Sequence, residues 1–167
     1  ISSIESNDPV IFLEHLRMYR SIKGEVPDEG YRVPLDKASV VREGTDVSII
    51  TYGLMVHYSL KAAEQLEKEG ISVEVVDLRT ISPVDMETII SSVKKTGRVI
   101  VVQESQRQAG VAGQLLSEIS ERAFMYLDAP VGRVTSPDTT FSFGLAEEYW
   151  LPTPADIVNK VKEVYDF

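Results

Sequence analysis

The stretch from Val73 to Ser120 places the strongest constraint on how this chain folds. It holds two short apolar runs, Val73–Leu78 and Val99–Val102, each followed by a segment with the apolar spacing of an amphipathic helix. Buried parallel strands read as continuous β-branched runs, and a crossover helix must join them because a tight hairpin cannot. The stretch therefore predicts a βαβα unit within a mostly parallel sheet.

The same alternation extends on both sides of this stretch. An edge strand, a central strand and a short late strand are predicted at Ser39–Arg42, Asp46–Tyr52 and Val131–Val134. Helices are predicted at about Leu54–Glu69, Pro83–Lys95, Gly110–Tyr126 and Pro154–Tyr165. Together these elements predict an α/β fold: an open, twisted, mostly parallel sheet with helices on both faces.

Glycine and cap residues mark the expected ends of two of these helices. Gly70 and Gly97 follow the last apolar positions of their helices and are predicted to end them. Ser82 precedes Pro83, and this pair is typical of a capped helix start.

The first 34 residues have a different character from the rest. Ile1–Pro9 is predicted to be the last turn of a helix whose beginning is missing, and Val10–Leu13 a short buried strand. Residues 21–34 are rich in glycine, proline and charge, as is typical of a connecting arm. We therefore expect the chain to start inside another domain, with residues 1–20 as its remnant, 21–34 as the arm and 35–167 as the α/β domain.

Charge and composition exclude several classes of function. The formal net charge is −9, which argues against a general affinity for nucleic acid or an anionic membrane and favours a basic protein partner. The chain has no cysteine, which excludes disulfides and thiol chemistry. No apolar run approaches the roughly 20 residues that cross a bilayer. A cytoplasmic protein is the expectation.

A few titratable residues fall where the carboxyl ends of parallel strands meet. Glu104 and Asp77 lie at two such strands, where a carboxylate pair serves acid–base chemistry. Ion pairing with Arg79 or Arg107 is the expected role instead. His57 follows another strand end, at the edge where open sheets bind ligands, although a surface or capping histidine is the simpler interpretation.

Three further features have two interpretations each. His15 follows Glu14 and is expected either to form an interdomain hydrogen bond or to be exposed. Gly110-Val-Ala-Gly113 precedes a helix, where glycines allow tight packing or anion binding, and packing is expected. Tyr149-Trp150-Leu151-Pro152 is an interface anchor or a lid over the sheet edge. No nucleophile, histidine and acid set, and no metal-ligand set, can be assembled.

Several short sequence motifs indicate a family. The chain contains Phe12-Leu13-Glu14-His15, Gly24-Glu25-Val26-Pro27, Val76-Asp77-Leu78-Arg79-Thr80, Lys95-Thr96-Gly97-Arg98, Leu127-Asp128-Ala129-Pro130 and Trp150-Leu151-Pro152. Over essentially its whole length it resembles the β subunits of the thiamine-diphosphate-dependent first component of 2-oxoacid dehydrogenase complexes. The residues Gln103–Gly110 and the terminal Phe167 are most similar to the pyruvate-specific members of Gram-positive bacteria. Branched-chain 2-oxoacid dehydrogenases are the second choice.

This resemblance implies a domain assignment and a reaction. Residues 1–20 would belong to the pyrimidine-binding, transketolase central-type domain, and residues 35–167 to a transketolase C-terminal domain. The parent α2β2 pyruvate dehydrogenase would decarboxylate pyruvate on thiamine diphosphate and pass acetyl to lipoyl groups. The cofactor-activating glutamate and active-site histidine would lie upstream, and the α subunit would hold the diphosphate and magnesium. The chain alone is therefore expected to bind no cofactor and to be inactive.

The resemblance also implies partners and a site. The C-terminal domains of two β subunits would meet across a two-fold axis. They would also dock the small basic peripheral subunit-binding domain of the dihydrolipoyl acetyltransferase. Asp128 and the carboxylate of Phe167 would accept arginine or lysine from that domain, and Tyr126 would line the same site.

Two other hypotheses stay open at this point. The chain also fits the C-terminal part of a transketolase or deoxyxylulose-phosphate synthase, which would need basic phosphate-binding residues near its helix starts, and few are visible. A free-standing interaction domain is the third hypothesis, against which the incomplete first helix argues.

Overall fold

The computed structural model describes all residues 1–167. The strands are β1 (Ser39–Arg42), β2 (Val47–Thr51), β3 (Val73–Asp77), β4 (Val99–Gln106) and β5 (Gly132–Ser136). The α-helices are α1 (Ser2–Glu5), α2 (Leu54–Glu67), α3 (Met86–Thr96), α4 (Val111–Ala123), α5 (Glu147–Trp150) and α6 (Pro154–Tyr165). Single 3-10 turns lie at Leu16–Met18, Phe124–Tyr126 and Gly144–Ala146. None of these helices has the length and apolarity needed to span a membrane.

The five strands form one sheet in the order β1-β3-β2-β4-β5. β2 pairs in parallel with β3 and β4, and β4 pairs in parallel with β5. β1 lies at the edge and runs antiparallel to β3. The predicted fold class, a mostly parallel α/β sheet with β1 at the edge and β2 at the centre, is confirmed.

Helices cover both faces of the sheet because the central strands are buried on both sides. All five residues of β2 are buried, and alternate side chains point to opposite faces. Ile49 packs in the core formed with α2 and α6, whereas its neighbour Ile50 packs in the core formed with α3 and α4. The sheet is therefore the middle of three layers.

Two helices end at the predicted glycines, and one helix does not start at the predicted residue. Gly70 and Gly97 have φ angles of 85° and 67° and follow α2 and α3. The N–H groups of Gly70 and Ile71 donate to the carbonyls of Glu67 and Leu66, which is the Schellman pattern. The prediction that Ser82 caps a helix starting at Pro83 is wrong.

The start of α3 is fixed by a buried aspartate further along the chain. The helix begins at Met86, and Asp85 is its N-cap. The Asp85 carboxylate accepts hydrogen bonds from the Thr88 N–H at 3.2 Å, the Thr88 hydroxyl at 2.8 Å and the Ala38 N–H at 3.1 Å. It therefore ties the segment before β1 to the helix, a long-range contact that Ser82 does not make.

The first 43 residues contribute no buried residue. α1 is present where a helical turn was predicted, but the predicted strand Val10–Leu13 is wrong. That segment is irregular, and Ile11 and Leu13 are 87% and 82% exposed. All strand pairing lies within the five-stranded sheet, and the apolar run Val10–Leu13 pairs with none of its strands.

Candidate functional site

The residues predicted to bind a partner lie where α4 ends and the chain turns toward β5. The 3-10 turn Phe124–Tyr126 follows α4 directly, and the Asp128 N–H then donates to the Gly97 carbonyl at 2.8 Å. This backbone bond fixes the turn against the end of α3.

Asp128 lies over a glycine that leaves room for it. A Cβ on Gly97 would come within 2.4 Å of the Asp128 carboxylate, so any other residue there would displace this side chain. The carboxylate is 60% exposed, and its Oδ2 lies 3.6 Å from the Arg98 guanidinium. A mostly exposed carboxylate with one distant cation remains available to a further cationic group.

Tyr126 is half-exposed next to Asp128. The ammonium of Lys94 lies 4.7 Å from the centroid of its ring. Phe124 and Met125, which precede it, are 70% and 87% exposed. Sequence reasoning missed these two side chains, although the unbroken apolar run at the end of an amphipathic helix was the signal.

Phe167 lies apart from this turn but is connected to it. The Arg98 guanidinium, which contacts Asp128, lies 5.8 Å from the ring centroid of Tyr165 near the C-terminus. Phe167 is exposed and lines a cavity of about 250 Å³ with Arg107, Arg133 and Lys160. The structure therefore brings Tyr126 and Asp128 together and links Asp128 to the C-terminal segment only through Arg98 and Tyr165.

The charges around these residues are mixed. Lys94 and Arg98 lie at the turn, and Arg107, Arg133 and Lys160 lie beside Phe167. The negative charge of the chain as a whole is thus not concentrated here. Any attraction for a basic partner at this surface has to come from individual carboxylates, not from a broad acidic field.

The carboxyl edge of the sheet forms a second cluster of titratable groups. Glu104 lies in β4, and its Oε2 is 2.6 Å from Nε2 of His15, a residue of the N-terminal segment. The expected pairing of Glu104 with Arg79 or Arg107 is wrong, and His15 makes a long-range hydrogen bond. The Ser136 hydroxyl donates to the Glu104 backbone carbonyl at 2.5 Å, which ties β5 to the same edge.

Asp77 has a different environment from Glu104. Its carboxylate accepts the Arg79 N–H at 3.0 Å, and burial raises its pKa despite that bond and the nearby charges of Arg79 and His57. Burial likewise raises the pKa of the Tyr52 hydroxyl. No hydrogen bond joins Asp77 to Glu104, so the two do not form the carboxylate pair of an acid–base site.

Gly110 serves packing, as expected, whereas Gly113 lies within α4 and a Cβ there would meet nothing within 4 Å. The buried Gln103 accepts the Ala112 N–H at 2.7 Å through its side-chain oxygen, and its amide donates to the Gln106 carbonyl at 2.7 Å. A Cβ on Gly110 would lie 2.1 Å from the Gln103 amide nitrogen. Gln103 therefore occupies the space at the start of α4. In the sequence, an amide residue directly after the apolar run Val99–Val102 was the sign that could have identified it.

The aromatic cluster divides into a buried and an exposed part. Trp150 is buried, with its ring centroid 4.9 Å from that of Phe141, whereas Tyr149 is 92% exposed. No group of three or more His, Cys, Asp or Glu side chains is arranged to hold a metal ion. The residues present therefore do not form a magnesium site.

Comparison with known proteins gives one family and a set of curated relatives. The model of the family "Transketolase, C-terminal domain" matches residues 36–157. The chain is 60% identical over 167 residues to the pyruvate dehydrogenase E1 component subunit beta of Bacillus subtilis. It is 58% identical over 167 residues to that of Staphylococcus aureus. The alignments cover 100% of this chain and 51% of each relative, so the chain spans about half the length of the curated relatives it matches.

A solved structure shares the fold. It is described as a split gene transketolase, inactive beta4 tetramer, with a TM-score of 0.72 and 32% sequence identity. The match covers 86% of this chain and 46% of that one.

Proposed function

Because this chain belongs to the transketolase C-terminal domain family, we propose that it is the C-terminal part of a pyruvate dehydrogenase E1 β subunit. The observation that carries the proposal is the 60% identity to the Bacillus subtilis subunit, sustained over all 167 residues. In this proposal residues 1–20 are the remnant of a pyrimidine-binding domain, 21–34 the connecting arm and 35–167 the C-terminal domain. A cytoplasmic location remains a prediction.

In this proposal the chain belongs to an α2β2 enzyme. That enzyme decarboxylates pyruvate with thiamine diphosphate and magnesium and transfers acetyl to lipoyl groups. The residues of this chain do not form a metal site, so no step of the reaction is assigned to them. That the chain alone is inactive and binds no cofactor is a prediction that an activity and binding assay checks.

The proposed role of this part is assembly. It would pair with a second β subunit and dock the basic peripheral subunit-binding domain of the dihydrolipoyl acetyltransferase. Asp128 supports the proposal because it is mostly exposed and is held by a backbone hydrogen bond to Gly97, so little ordering is needed when a cation approaches. Tyr126 and the Phe167 carboxylate complete the proposed site.

Calorimetric titration with the isolated subunit-binding domain tests this role. We expect salt-sensitive binding that weakens about tenfold or more in Asp128→Ala, since a hydrogen-bonded charge pair contributes roughly 1.5–3 kcal/mol. Deletion of Phe167 should weaken binding as well. Asp28→Ala is the matched control, because Asp28 is exposed and lies in the arm. Equal binding by Asp128→Ala and Asp28→Ala would refute the proposed site, and no binding by a dimeric chain would refute docking.

A transketolase-like function is the second candidate, and the solved structure favours it. That protein is 32% identical over 86% of this chain, a likeness weaker than that of the pyruvate dehydrogenase subunits. Affinity for a sugar phosphate without affinity for the subunit-binding domain would favour this alternative. A branched-chain 2-oxoacid dehydrogenase β subunit remains a further alternative for the parent enzyme.

A further inference from the structure

A groove runs between the N-terminal segment and the first turns of α2. It encloses about 560 Å³, within the range of roughly 300–1,000 Å³ that small-molecule sites occupy. Its lining residues are Arg17, Ser21, Ile22, Lys23, Leu54, His57, Tyr58, Leu60, Lys61 and Glu64. We call it the arm groove, since residues 17–23 form one wall and α2 the other.

The arm groove adjoins the place where the order of the strands reverses. β2 leads into α2 on one face of the sheet, whereas its neighbour β4 leads into α4 on the other. Connections that leave adjacent parallel strands toward opposite faces open a crevice at the carboxyl edge, and open α/β sheets bind ligands there. Leu54 and His57, in the first turns of α2, carry the groove to this edge.

The lining is basic in a chain that is acidic overall. Arg17, Lys23 and Lys61 face the groove together with His57, and Glu64 is the one acidic residue. Arg17 is 3.4 Å from Glu147, but neither Lys23 nor Lys61 forms an ion pair. Neither ammonium group is neutralised by a carboxylate of the chain, so both are available to an anion that enters the groove.

The rest of the lining is apolar or aromatic. Ile22 lies on the arm, and Leu54, Tyr58 and Leu60 lie on α2. The Lys61 ammonium lies 5.9 Å from the Tyr58 ring centroid, so a positive charge and a flat ring adjoin on the same helix. A site of this composition suits a molecule that has an anionic end and an apolar or aromatic body.

The start of α2 lacks the cap that other helices have. Gly53 has φ 61° and ψ −137° and provides no side-chain hydrogen bond to the first turn. The α3 start is capped by Asp85 and the α6 start by Thr153, and Gln103 accepts the Ala112 N–H at the α4 start. The open end of α2 is a further favourable location for negative charge beside the basic lining.

We propose that the arm groove binds a small molecule that carries a phosphate or diphosphate on an apolar or aromatic body. Lys23 and Lys61 bind the phosphate from opposite walls, and Tyr58 with Ile22 and Leu54 contacts the body. The site is distinct from Tyr126, Asp128 and Phe167, so it does not depend on the docking function proposed above.

Adenosine diphosphate is the probe for a calorimetric titration of the 167-residue chain, with adenosine and inorganic diphosphate in parallel. We expect adenosine diphosphate to bind, inorganic diphosphate to compete with it and adenosine to bind much more weakly. Lys23→Ala and Lys61→Ala should each weaken binding about tenfold, as expected for loss of one charged hydrogen bond. Lys68→Ala is the matched control, because Lys68 is exposed at the far end of α2 and changes the net charge equally.

Each outcome of this titration bears on the proposal. Absence of binding to a chain whose thermal unfolding is cooperative would overturn it. So would equal weakening by Lys61→Ala and Lys68→Ala, which would indicate a general charge effect, or equal binding of adenosine and adenosine diphosphate. Tyr58→Leu removes the aromatic ring but keeps an apolar side chain. It should therefore weaken the binding of adenosine diphosphate more than that of inorganic diphosphate, and equal weakening of both would contradict the proposed contact with the body of the ligand.

Discussion

His15 and Glu104, 89 residues apart in sequence, are joined by a hydrogen bond of 2.6 Å between Nε2 and Oε2. Both side chains are partly buried, with 24% and 34% of their surface exposed. Nothing before Gly44 is buried, so this bond is one of few contacts that hold the N-terminal segment to the domain. The Arg17–Glu147 ion pair and the packing of Met18 against the core hold the segment as well.

His15→Ala should therefore release the N-terminal segment. We expect trypsin to cleave after Arg17, Arg20 and Lys23 about fivefold faster, since loss of a hydrogen bond worth about 1 kcal/mol shifts the opening equilibrium by that factor. Glu104→Ala should have the same effect from the domain side. Asp28→Ala, in the same segment, is the control, and cleavage of all three variants at the original rate would show that other contacts hold the segment.

The Asp85 cap should make stability depend on pH in one direction. Burial alone would raise the pKa of Asp85, but hydrogen bonds from Thr88 and Ala38, with Lys37 nearby, outweigh it and lower the pKa. Because the folded-state pKa lies below the unfolded value of about 3.9, the stabilisation is fully present above that pH. It is lost as the pH falls through the folded-state value.

Asp85→Ala should thus lower the free energy of unfolding by about 1–2 kcal/mol at pH 7, as loss of a helix cap does. The difference from the unmodified chain should shrink below about pH 4 as the carboxyl becomes protonated. Urea unfolding at several pH values measures this, with the exposed Asp36→Ala as the control. A difference that stays constant down to pH 3 would show that the charge of Asp85 does not contribute.

A buried glutamate on β3 depends on one lysine. Glu74 is fully buried, its carboxylate pairs with the Lys95 ammonium, and its Oε1 has no hydrogen-bond partner. Removing one partner of such a pair leaves an uncompensated charge. Because Lys95 is 40% exposed, water offsets part of that cost, and we expect Lys95→Met to destabilise the fold by about 2 kcal/mol.

The double variant Lys95→Met with Glu74→Gln should recover most of that loss, because no unpaired charge stays buried. The second carboxylate that Lys95 contacts, that of Glu43, is 79% exposed and stays solvated. Lys68→Met is the control for loss of an exposed lysine and should change stability by less than about 0.5 kcal/mol. The three free energies of unfolding come from urea titration. If the double variant is as unstable as Lys95→Met alone, the charge of Glu74 is not the cause.

The sequence predicted the parts of the fold that depend on local pattern. The β-branched runs located the inner strands, and glycines at 70 and 97 located two helix ends, because a left-handed residue is a local requirement. The strand predicted at Val10–Leu13 failed because strand formation needs a partner strand, which local pattern does not reveal. Ser82 was preferred to Asp85 for a similar reason, since the bond from Ala38 to Asp85 joins residues 47 positions apart.

The candidate sites were less predictable than the fold. Asp128 and Tyr126 lie in one turn, so their proximity followed from adjacency in sequence. The partner of Glu104 did not, because His15 reaches it from a segment that pairs with no strand and lies 89 residues away in sequence. The arm groove could not be predicted from the sequence for the same reason. Lys23 and Lys61 belong to separate segments, and only the structure shows that these segments pack together.

Gly97 connects stability to the proposed docking site, and Gly70 provides the comparison. Both glycines have positive φ angles, 67° and 85°. A Cβ on Gly97 would lie 2.4 Å from the Asp128 carboxylate, whereas a Cβ on Gly70 would meet nothing within 4 Å. Alanine at either position incurs the left-handed backbone cost of roughly 1–2 kcal/mol. Only at Gly97 must a second side chain move.

Gly70→Ala should therefore lower the free energy of unfolding about as much as Gly97→Ala, because the exposed Asp128 carboxylate moves aside at little cost. Gly97→Ala, however, displaces that carboxylate from its position. It should also weaken binding of the basic subunit-binding domain, while Gly70→Ala leaves the affinity unchanged. Urea unfolding gives the first quantity and calorimetric titration the second. If both variants keep full affinity while Asp128→Ala loses it, then Asp128 acts without the position that Gly97 allows, and the preorganisation argument for the docking site fails.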